Sequence, residues 1–242
     1  FQEKCLTDFK DNRYNIILKA RQLGISTLSA GYALWMMLFH NDKNILVIAT
    51  GKDTAKNLVT KVRVMYDNLP QWLKTGTEEI NKLSVRFTNG SQIKAIASNE
   101  SAGRSEALSL LIIDEAAFID KIGEIWTAAQ QTLATGGDCI ALSTPNGVGN
   151  WFHKQWVGAE SGDNEFNTIR LHWTDHPDRD QTWRDEQDKV LGPSQAAQEC
   201  DTDFLTSGQS VVDPAILQWY KETMTESPVE EQGIDRGMWI WR

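Results

Sequence analysis

Short apolar runs alternate with longer amphipathic stretches along most of the chain. The runs are rich in aliphatic and β-branched residues, and they predict strands at 15–19, 44–49, 83–87, 92–97, 108–113, 139–143 and 166–173. Asn89 and Gly90 separate two of these strands and predict a tight hairpin. The amphipathic stretches predict helices at 26–39, 52–68, 122–133, 181–191 and 194–200. This alternation is typical of an α/β fold with a mostly parallel central sheet flanked by helices.

The composition is that of an ordinary soluble globular chain. Of the 242 residues, 40% are hydrophobic and 24% are charged, which excludes disordered and collagen-like proteins. The longest nearly apolar run, 30–39, is too short to cross a membrane. The three cysteines, Cys5, Cys139 and Cys200, are far apart and form no Cys-x-x-Cys pair. We therefore expect no disulfide framework and a reducing, cytosolic environment.

The net charge of -9 is unevenly distributed along the chain. Residues 1–159 carry 17 basic and 15 acidic side chains, whereas residues 160–242 carry 7 basic and 18 acidic ones. Because DNA is itself strongly negative, this balance argues against tight, static binding of nucleic acid. Weak, transient contact through a local surface of the first part remains compatible with it.

A modified phosphate-loop motif follows the first predicted strand. On the pattern G-x-x-x-x-G-K-[ST], Gly24 takes the second glycine and Ser26 takes the hydroxyl position. Lys19 replaces the first glycine and Ile25 replaces the usual lysine. Amide groups that open a helix can still cradle phosphate, Ser26 can reach Mg²⁺, and Lys19 can supply a cation from the other side of the loop. The alternative is an ordinary strand–turn–helix connection with one glycine.

Two adjacent acids, Asp114 and Glu115, end the apolar run 108–113. A carboxylate at the C-terminal end of a strand faces the crevice in which open α/β sheets bind ligands. We expect Asp114 to serve Mg²⁺ and Glu115 to orient and deprotonate the attacking water. The spacing from the first motif fits phosphate-loop ATPases that carry an inserted strand and a catalytic glutamate. The alternative is an acidic pair that favours the dipole of an ordinary helix start.

A third motif, Ser143-Thr144-Pro145-Asn146-Gly147, ends the run 139–143. If this strand lies beside the Asp-Glu strand, Ser143, Thr144 and Asn146 can sense the γ-phosphate and couple its loss to movement. The alternative is a polar loop after a strand.

Taken together, the segments KARQLGIST (19–27), LLIIDEAAF (110–118) and STPNG (143–147) resemble the ATPase domain of the large terminase subunit of tailed bacteriophages. The resemblance covers residues 1–212. It implies a RecA-like P-loop NTPase of the additional-strand, catalytic-glutamate (ASCE) type. Large terminases often carry an altered first motif, R-Q-x-G-[KI]-[ST], which matches the departure at Ile25.

The resemblance also implies roles for individual residues. Glu115 and Arg21 are the implied catalytic residues, and Gln2 matches the position of an adenine-reading glutamine. Nucleotide contacts are implied for Gln2, Lys19, Arg21, Gln22, Leu23, Gly24, Ile25, Ser26 and Thr27. The resemblance leaves open whether Lys19 or Arg21 replaces the usual lysine. Arg21 is implied to contact phosphates or to act as an arginine finger on a neighbouring subunit, and the alternative is a surface ion pair with an acidic residue.

An Arg/Gly element at 102–105 is a further match to the family. Its Arg104 is expected either to sense phosphate or to form a structural ion pair.

The implied function is a Mg²⁺-dependent ATPase that drives double-stranded DNA into a procapsid. Its implied partners are the portal protein and the small terminase subunit, and its implied assembly is a homo-oligomeric ring. It would work in the cytoplasm of the infected bacterial host, with no membrane involved. The alternatives are a helicase-like DNA translocase and a nucleotide-binding module without hydrolysis.

We expect residues 1–212 to form the ATPase domain and residues 213–242 to form a small C-terminal subdomain or linker. A helix is predicted at 213–224 within the second of these segments. The family's nuclease half is expected to be absent, and no nuclease activity is expected of this chain.

Overall fold

The computed structural model describes residues 1–98, 107–205, 219–220 and 223–224. In this part of the chain, eight strands form one sheet: β1 (Tyr14–Lys19), β2 (Asn44–Ala49), β3 (Thr77–Ile80), β4 (Ser84–Phe87), β5 (Gln92–Ala97), β6 (Leu110–Asp114), β7 (Asp138–Ser143) and β8 (Phe166–Leu171). The α-helices are α1 (Gln2–Asp11), α2 (Ile25–Phe39), α3 (Lys52–Asp67), α4 (Ile122–Leu133), α5 (Trp151–Ser161), α6 (Gln181–Leu191) and α7 (Pro193–Cys200).

The strand order is β3-β4-β5-β2-β6-β7-β1-β8. The strands from β5 to β8 in this order are parallel, and β3 and β4 extend the sheet as antiparallel strands. The predicted hairpin is the pair β4–β5. Strand β7 lies between β1 and β6, so one strand separates the first motif from the second, as expected. The C-terminal ends of the parallel strands therefore bring all three motifs to one edge of the sheet.

The middle of the sheet is covered on both faces, which explains why its strands are continuous apolar runs. Helices α1, α2 and α3 cover one face, where Ile17 of β1 packs. Helices α4 and α5 cover the other face, where Ile16 and Leu18 pack. All three of these β1 side chains are fully buried. The first motif thus begins from a strand that is fixed by packing on both sides.

Three elements are absent from the sequence prediction. Helix α1 buries only Cys5 and Phe9 and so carries a weak pattern, and strand β3 is exposed along its whole length. Helix α5 begins after Asn150, whose side chain accepts a hydrogen bond from the amide of His153. The predicted strand 166–173 ends instead at Leu171, because the next residues form a short 3-10 turn capped by His172.

Among the described residues, no helix combines the length and the apolar character needed to span a membrane.

Gly137 supports the strand that carries the third motif, and we predict that it cannot be replaced by alanine without cost. A Cβ atom there would lie 2.1 Å from the carbonyl oxygen of Leu108 and 2.8 Å from Cδ2 of Leu133. Because that oxygen belongs to the backbone, we expect Gly137→Ala to lower the free energy of unfolding by about 2–3 kcal/mol. Urea unfolding measures it. The control is Gly51→Ala, where no atom lies within 4 Å; equal stability losses in the two variants would contradict the prediction.

Candidate functional site

The phosphate loop joins β1 to α2 and has the backbone of an anion cradle. Gln22 and Gly24 both adopt left-handed conformations, with φ of 60° and 77°. Alternation of this kind turns successive amide groups toward one side. The amides of residues 22–26 donate to no acceptor among the residues that the structure describes. Helix α2 starts at Ile25 and adds the partial positive charge of its N-terminus.

Arg179 holds this loop from outside. Its Nη1 donates to the carbonyl oxygen of Arg21 at 3.0 Å, and its Nη2 donates to that of Gln22 at 3.4 Å. In a trans peptide the N–H points away from the C=O, so the amides of Gln22 and Leu23 are turned to the opposite side. The guanidinium of Arg179 lies 4.3 Å from the ring centre of Trp183. No sequence signal marked Arg179, because it lies 158 residues from the motif it supports.

Ile25, which stands where the usual lysine would, packs into the core beneath α2 and is 1% exposed. Leu23 is also buried, so both side chains anchor the loop in the core. Gln22 and Thr27 are exposed. The Nε2 atom of Gln2 lies 3.5 Å from the carbonyl oxygen of Leu23, which places the predicted adenine-reading residue beside the loop. Because residue 25 is apolar and buried, any positive charge beside this loop has to come from another residue.

Lys19, Ser26 and Asp114 lie close together at the edge of the sheet. Burial lowers the pKa of the Lys19 amine, whereas the carboxylates of Asp114 and Glu115 act to raise it. Burial raises the pKa of Asp114, whereas Lys19 and a hydrogen bond from Ser26 act to lower it. Lys19 and Asp114 thus stabilise each other's charged form in a site that water reaches poorly.

The side-chain oxygen atoms of Ser26 and Asp114 fit a magnesium ion. Magnesium prefers hard oxygen ligands, and it is often held by one or two side chains together with substrate phosphates. The hydroxyl of Ser26 and the carboxylate of Asp114 are such a pair. Over the described part of the chain, no group of three or more His, Cys, Asp or Glu residues forms a metal cage. The donors present therefore suit a metal that arrives with a phosphate ligand.

Glu115 is held in a defined position behind the loop. Its backbone is left-handed, with φ of 56°, which is unfavourable for a non-glycine residue. Its amide donates to Oδ1 of Asp114 at 3.0 Å, and its Oε2 accepts from the hydroxyl of Thr50 at the same distance. Thr50 follows β2, the strand that pairs with β6. Sequence reasoning missed Thr50, although its place directly after a buried strand was a usable signal.

The third motif contacts the turn that follows the second one. The hydroxyl of Ser143 accepts from the amide of Ala117 at 3.2 Å, and Nδ2 of Asn146 donates to the carbonyl oxygen of Ala117 at 3.1 Å. Thr144 is buried. Strand β7 lies next to β6, which meets the condition set for this motif to sense the γ-phosphate. Two hydrogen bonds therefore join this loop to the backbone two residues beyond Glu115.

Arg21 forms an ion pair in this structure. Its Nη1 lies 3.1 Å from Oε1 of Glu199 on α7, and its amide donates to the carbonyl oxygen of Glu199 at 2.7 Å. The surface ion pair was one of the alternatives that the sequence left open.

Some predictions fall outside the described residues. They are the Arg/Gly element with Arg104, and the predicted helix 213–224 apart from the few residues of it that are described.

Comparison with known families and sequences points in one direction. The family described as "Terminase large subunit, T4likevirus-type, N-terminal" matches residues 16–213. Among curated proteins, the probable terminase large subunit gp28 of Escherichia phage Mu is 33% identical over 101 residues. That match covers 41% of this chain and 18% of the Mu protein, so the matched segment is less than a fifth of that relative's length.

Solved structures show the same fold. The large terminase ATPase domain of Thermus phage P74-26 has a TM-score of 0.67 and 22% identity, covering 80% of this chain and 89% of that one. The ADP complex of the large terminase from another thermophilic bacteriophage has a TM-score of 0.66 and 13% identity, covering 84% and 52%. The expected α/β fold, with a mostly parallel sheet flanked by helices, is confirmed.

Proposed function

The chain belongs to the T4likevirus-type large terminase subunits, to whose N-terminal region it corresponds, and from this premise we propose that it is a Mg²⁺-dependent ATPase and the motor domain of a DNA-packaging machine. The observation that carries the proposal is the grouping at one sheet edge. The loop amides that donate to no acceptor among the described residues lie beside Lys19, Ser26, Asp114 and Glu115. The second of the two solved relatives was captured with ADP and with ATP-gamma-S, which supports a nucleotide as the ligand of this cradle.

Each residue has a distinct part in ATP hydrolysis. The loop amides hold the oxygens of the β- and γ-phosphates, and Lys19 neutralises part of their charge. Ser26 and Asp114 would hold the magnesium ion, which would neutralise part of the phosphate charge. Glu115 orients the attacking water and accepts its proton. The hydrogen bond from Thr50 fixes the orientation of the Glu115 carboxylate before the water binds.

Coupling to movement would pass through the third motif. Ser143 and Asn146 both bind Ala117, which closely follows Glu115 in the chain. A change at the γ-phosphate can thus reach the loop after β7 through two hydrogen bonds. Thr144 completes the proposed coupling set from its buried position in the same loop.

The larger assembly is part of the proposal. The motor would move double-stranded DNA into a procapsid as a homo-oligomeric ring, together with the portal protein and the small terminase subunit. Its place would be the cytoplasm of the infected bacterial host. Residues 1–212 would form the ATPase domain, and residues 213–242 a subdomain or linker toward a nuclease domain.

A single-turnover assay tests the ATPase. Radiolabelled ATP is mixed with excess protein and Mg²⁺, and the release of labelled phosphate is followed over time. We expect slow hydrolysis that rises with protein concentration, since ring assembly completes motors of this kind. Binding without phosphate release at any concentration would instead support a nucleotide-binding module.

Arg179 gives a prediction specific to the loop geometry. Arg179→Ala removes two hydrogen bonds that turn the amides of Gln22 and Leu23 toward the phosphates. Because these amides serve ATP and ADP alike, we expect both affinities to fall by about tenfold. Titration calorimetry measures them. The matched control is Arg170→Ala, which removes another guanidinium stacked near a tryptophan, Trp156; equal losses in the two variants would remove Arg179 from the site.

A further inference from the structure

The ion pair between Arg21 and Glu199 joins a largely exposed side chain to a largely buried one. The side chain of Arg21 is 62% exposed, whereas that of Glu199 is 12% exposed. Backbone contacts hold their two segments together independently of this pair, since the amide of Arg21 donates to the carbonyl oxygen of Glu199. The guanidinium can therefore leave the carboxylate without either backbone having to move.

The pair lies beside the phosphate cradle of the same chain. Both charges act on Lys19: the carboxylate of Glu199 tends to raise its pKa and the guanidinium of Arg21 tends to lower it. Arg21 also precedes the left-handed residue Gln22, whose amide opens the cradle. A carboxylate that is nearly buried thus lies within electrostatic range of the place proposed for the phosphates.

Helix α7 is tied at a second point as well. The Nε2 atom of Gln198 donates to the carbonyl oxygen of Pro145 in the third motif, at 3.1 Å. Glu199 consequently keeps its place near the cradle when Arg21 moves, because its helix is anchored on the neighbouring loop.

We propose that Glu199 competes with the terminal phosphate of the nucleotide for the guanidinium of Arg21. It thereby sets how strongly the site distinguishes ATP from ADP. This inference rests on the proposed ATPase function. In the nucleotide-free chain the carboxylate neutralises Arg21. When ATP enters, the γ-phosphate takes the guanidinium, and Glu199 loses its cation and faces the negative charge of the phosphate. ADP has no γ-phosphate, so it does not require this exchange.

The effect on affinity follows from that exchange. Glu199→Gln removes the charge that competes for Arg21 and the repulsion between that charge and the γ-phosphate. It keeps the size of the side chain and the backbone hydrogen bond from the amide of Arg21. We expect the affinity for ATP to rise by about threefold to tenfold, in line with the modest worth of a partly exposed ion pair. The affinity for ADP should change by less than about twofold, since it draws little on Arg21.

The experiment measures binding of two probes by titration calorimetry in the presence of Mg²⁺. The probes are ADP and an ATP analogue with a methylene group between the β- and γ-phosphorus atoms. Glu199→Gln is compared with the unchanged chain and with Glu186→Gln, an equal charge change at an exposed position of α6. In the Arg21→Ala background, the gain from Glu199→Gln should disappear. Thermal unfolding confirms that each variant is folded, and Glu199→Ala, which should give the same gain, replaces Glu199→Gln if that variant does not fold.

The outcomes separate this inference from the function beneath it. Selective tightening of the ATP analogue that depends on Arg21 supports the inference. An unchanged or weaker affinity for the analogue in Glu199→Gln overturns it, and so does an equal gain for ADP. If the unchanged chain binds neither probe, the proposed function fails and the inference fails with it.

Discussion

Replacing Glu115 by glutamine is expected to leave ATP binding near normal and to lower hydrolysis by at least about 10²-fold. Glutamine has almost the same shape, and its amide oxygen can still accept the hydrogen bond that Thr50 donates to Glu115. It cannot accept a proton from the attacking water. Because the two contacts that place residue 115 are kept, the loss should appear in the chemical step rather than in the fold.

Single-turnover phosphate release and titration calorimetry separate these two effects. The matched control is Glu124→Gln, the same change at an exposed position in the first turn of α4. We expect the control to hydrolyse ATP at the rate of the unchanged chain. Hydrolysis by Glu115→Gln at that same rate would remove Glu115 from the mechanism.

The order of elements could be predicted from the sequence because the central strands have a clear hydrophobic pattern. Strands β2, β6 and β7 are continuous apolar runs, since helices cover both of their faces. Elements that bury little were missed. Strand β3 is exposed throughout, and α1 turns only two side chains into the core, so neither carries a pattern strong enough to read.

The site was predictable only where its residues are neighbours in the chain. Gly24, Ser26 and the pair Asp114–Glu115 lie in short motifs whose spacing reflects local backbone geometry. Arg179 and Glu199 reach the loop from more than 150 residues away. Contacts of that kind depend on how α6 and α7 pack over the sheet, and no local pattern encodes them.

Ile25 shows how far the motif alone can mislead. In the motif, Ile25 occupies the position of the catalytic lysine. An apolar residue in place of that lysine would suggest a site that has lost its function. The structure gives another reason, because the side chain at this position packs into the core. A cation from β1 can take over the charge without any change in the loop.

Lys19→Ala is therefore expected to weaken ATP binding and hydrolysis together. Loss of one charge-assisted contact to phosphate should cost about 10- to 100-fold in affinity. The turnover that remains should fall further, because cations that stabilise the transferring phosphoryl group are worth on the order of 10³-fold. Removing Lys19 also takes away the cation that lowers the pKa of Asp114, so the proposed magnesium ligand becomes harder to ionise.

A second variant separates the charge of Lys19 from its packing. Lys19→Met keeps most of the side-chain length, and we expect it to lose binding and hydrolysis as Lys19→Ala does, but with a smaller loss of stability, because the packing of the aliphatic part of the side chain is kept. Lys10→Ala, at an exposed position of α1, controls for the loss of one positive charge. Titration calorimetry with the methylene analogue of ATP, single-turnover hydrolysis and thermal unfolding are measured on all three. If both Lys19 variants bind ATP normally, the phosphate charge is carried by Arg21, and the cation that Glu199 holds is then the one on which nucleotide binding depends.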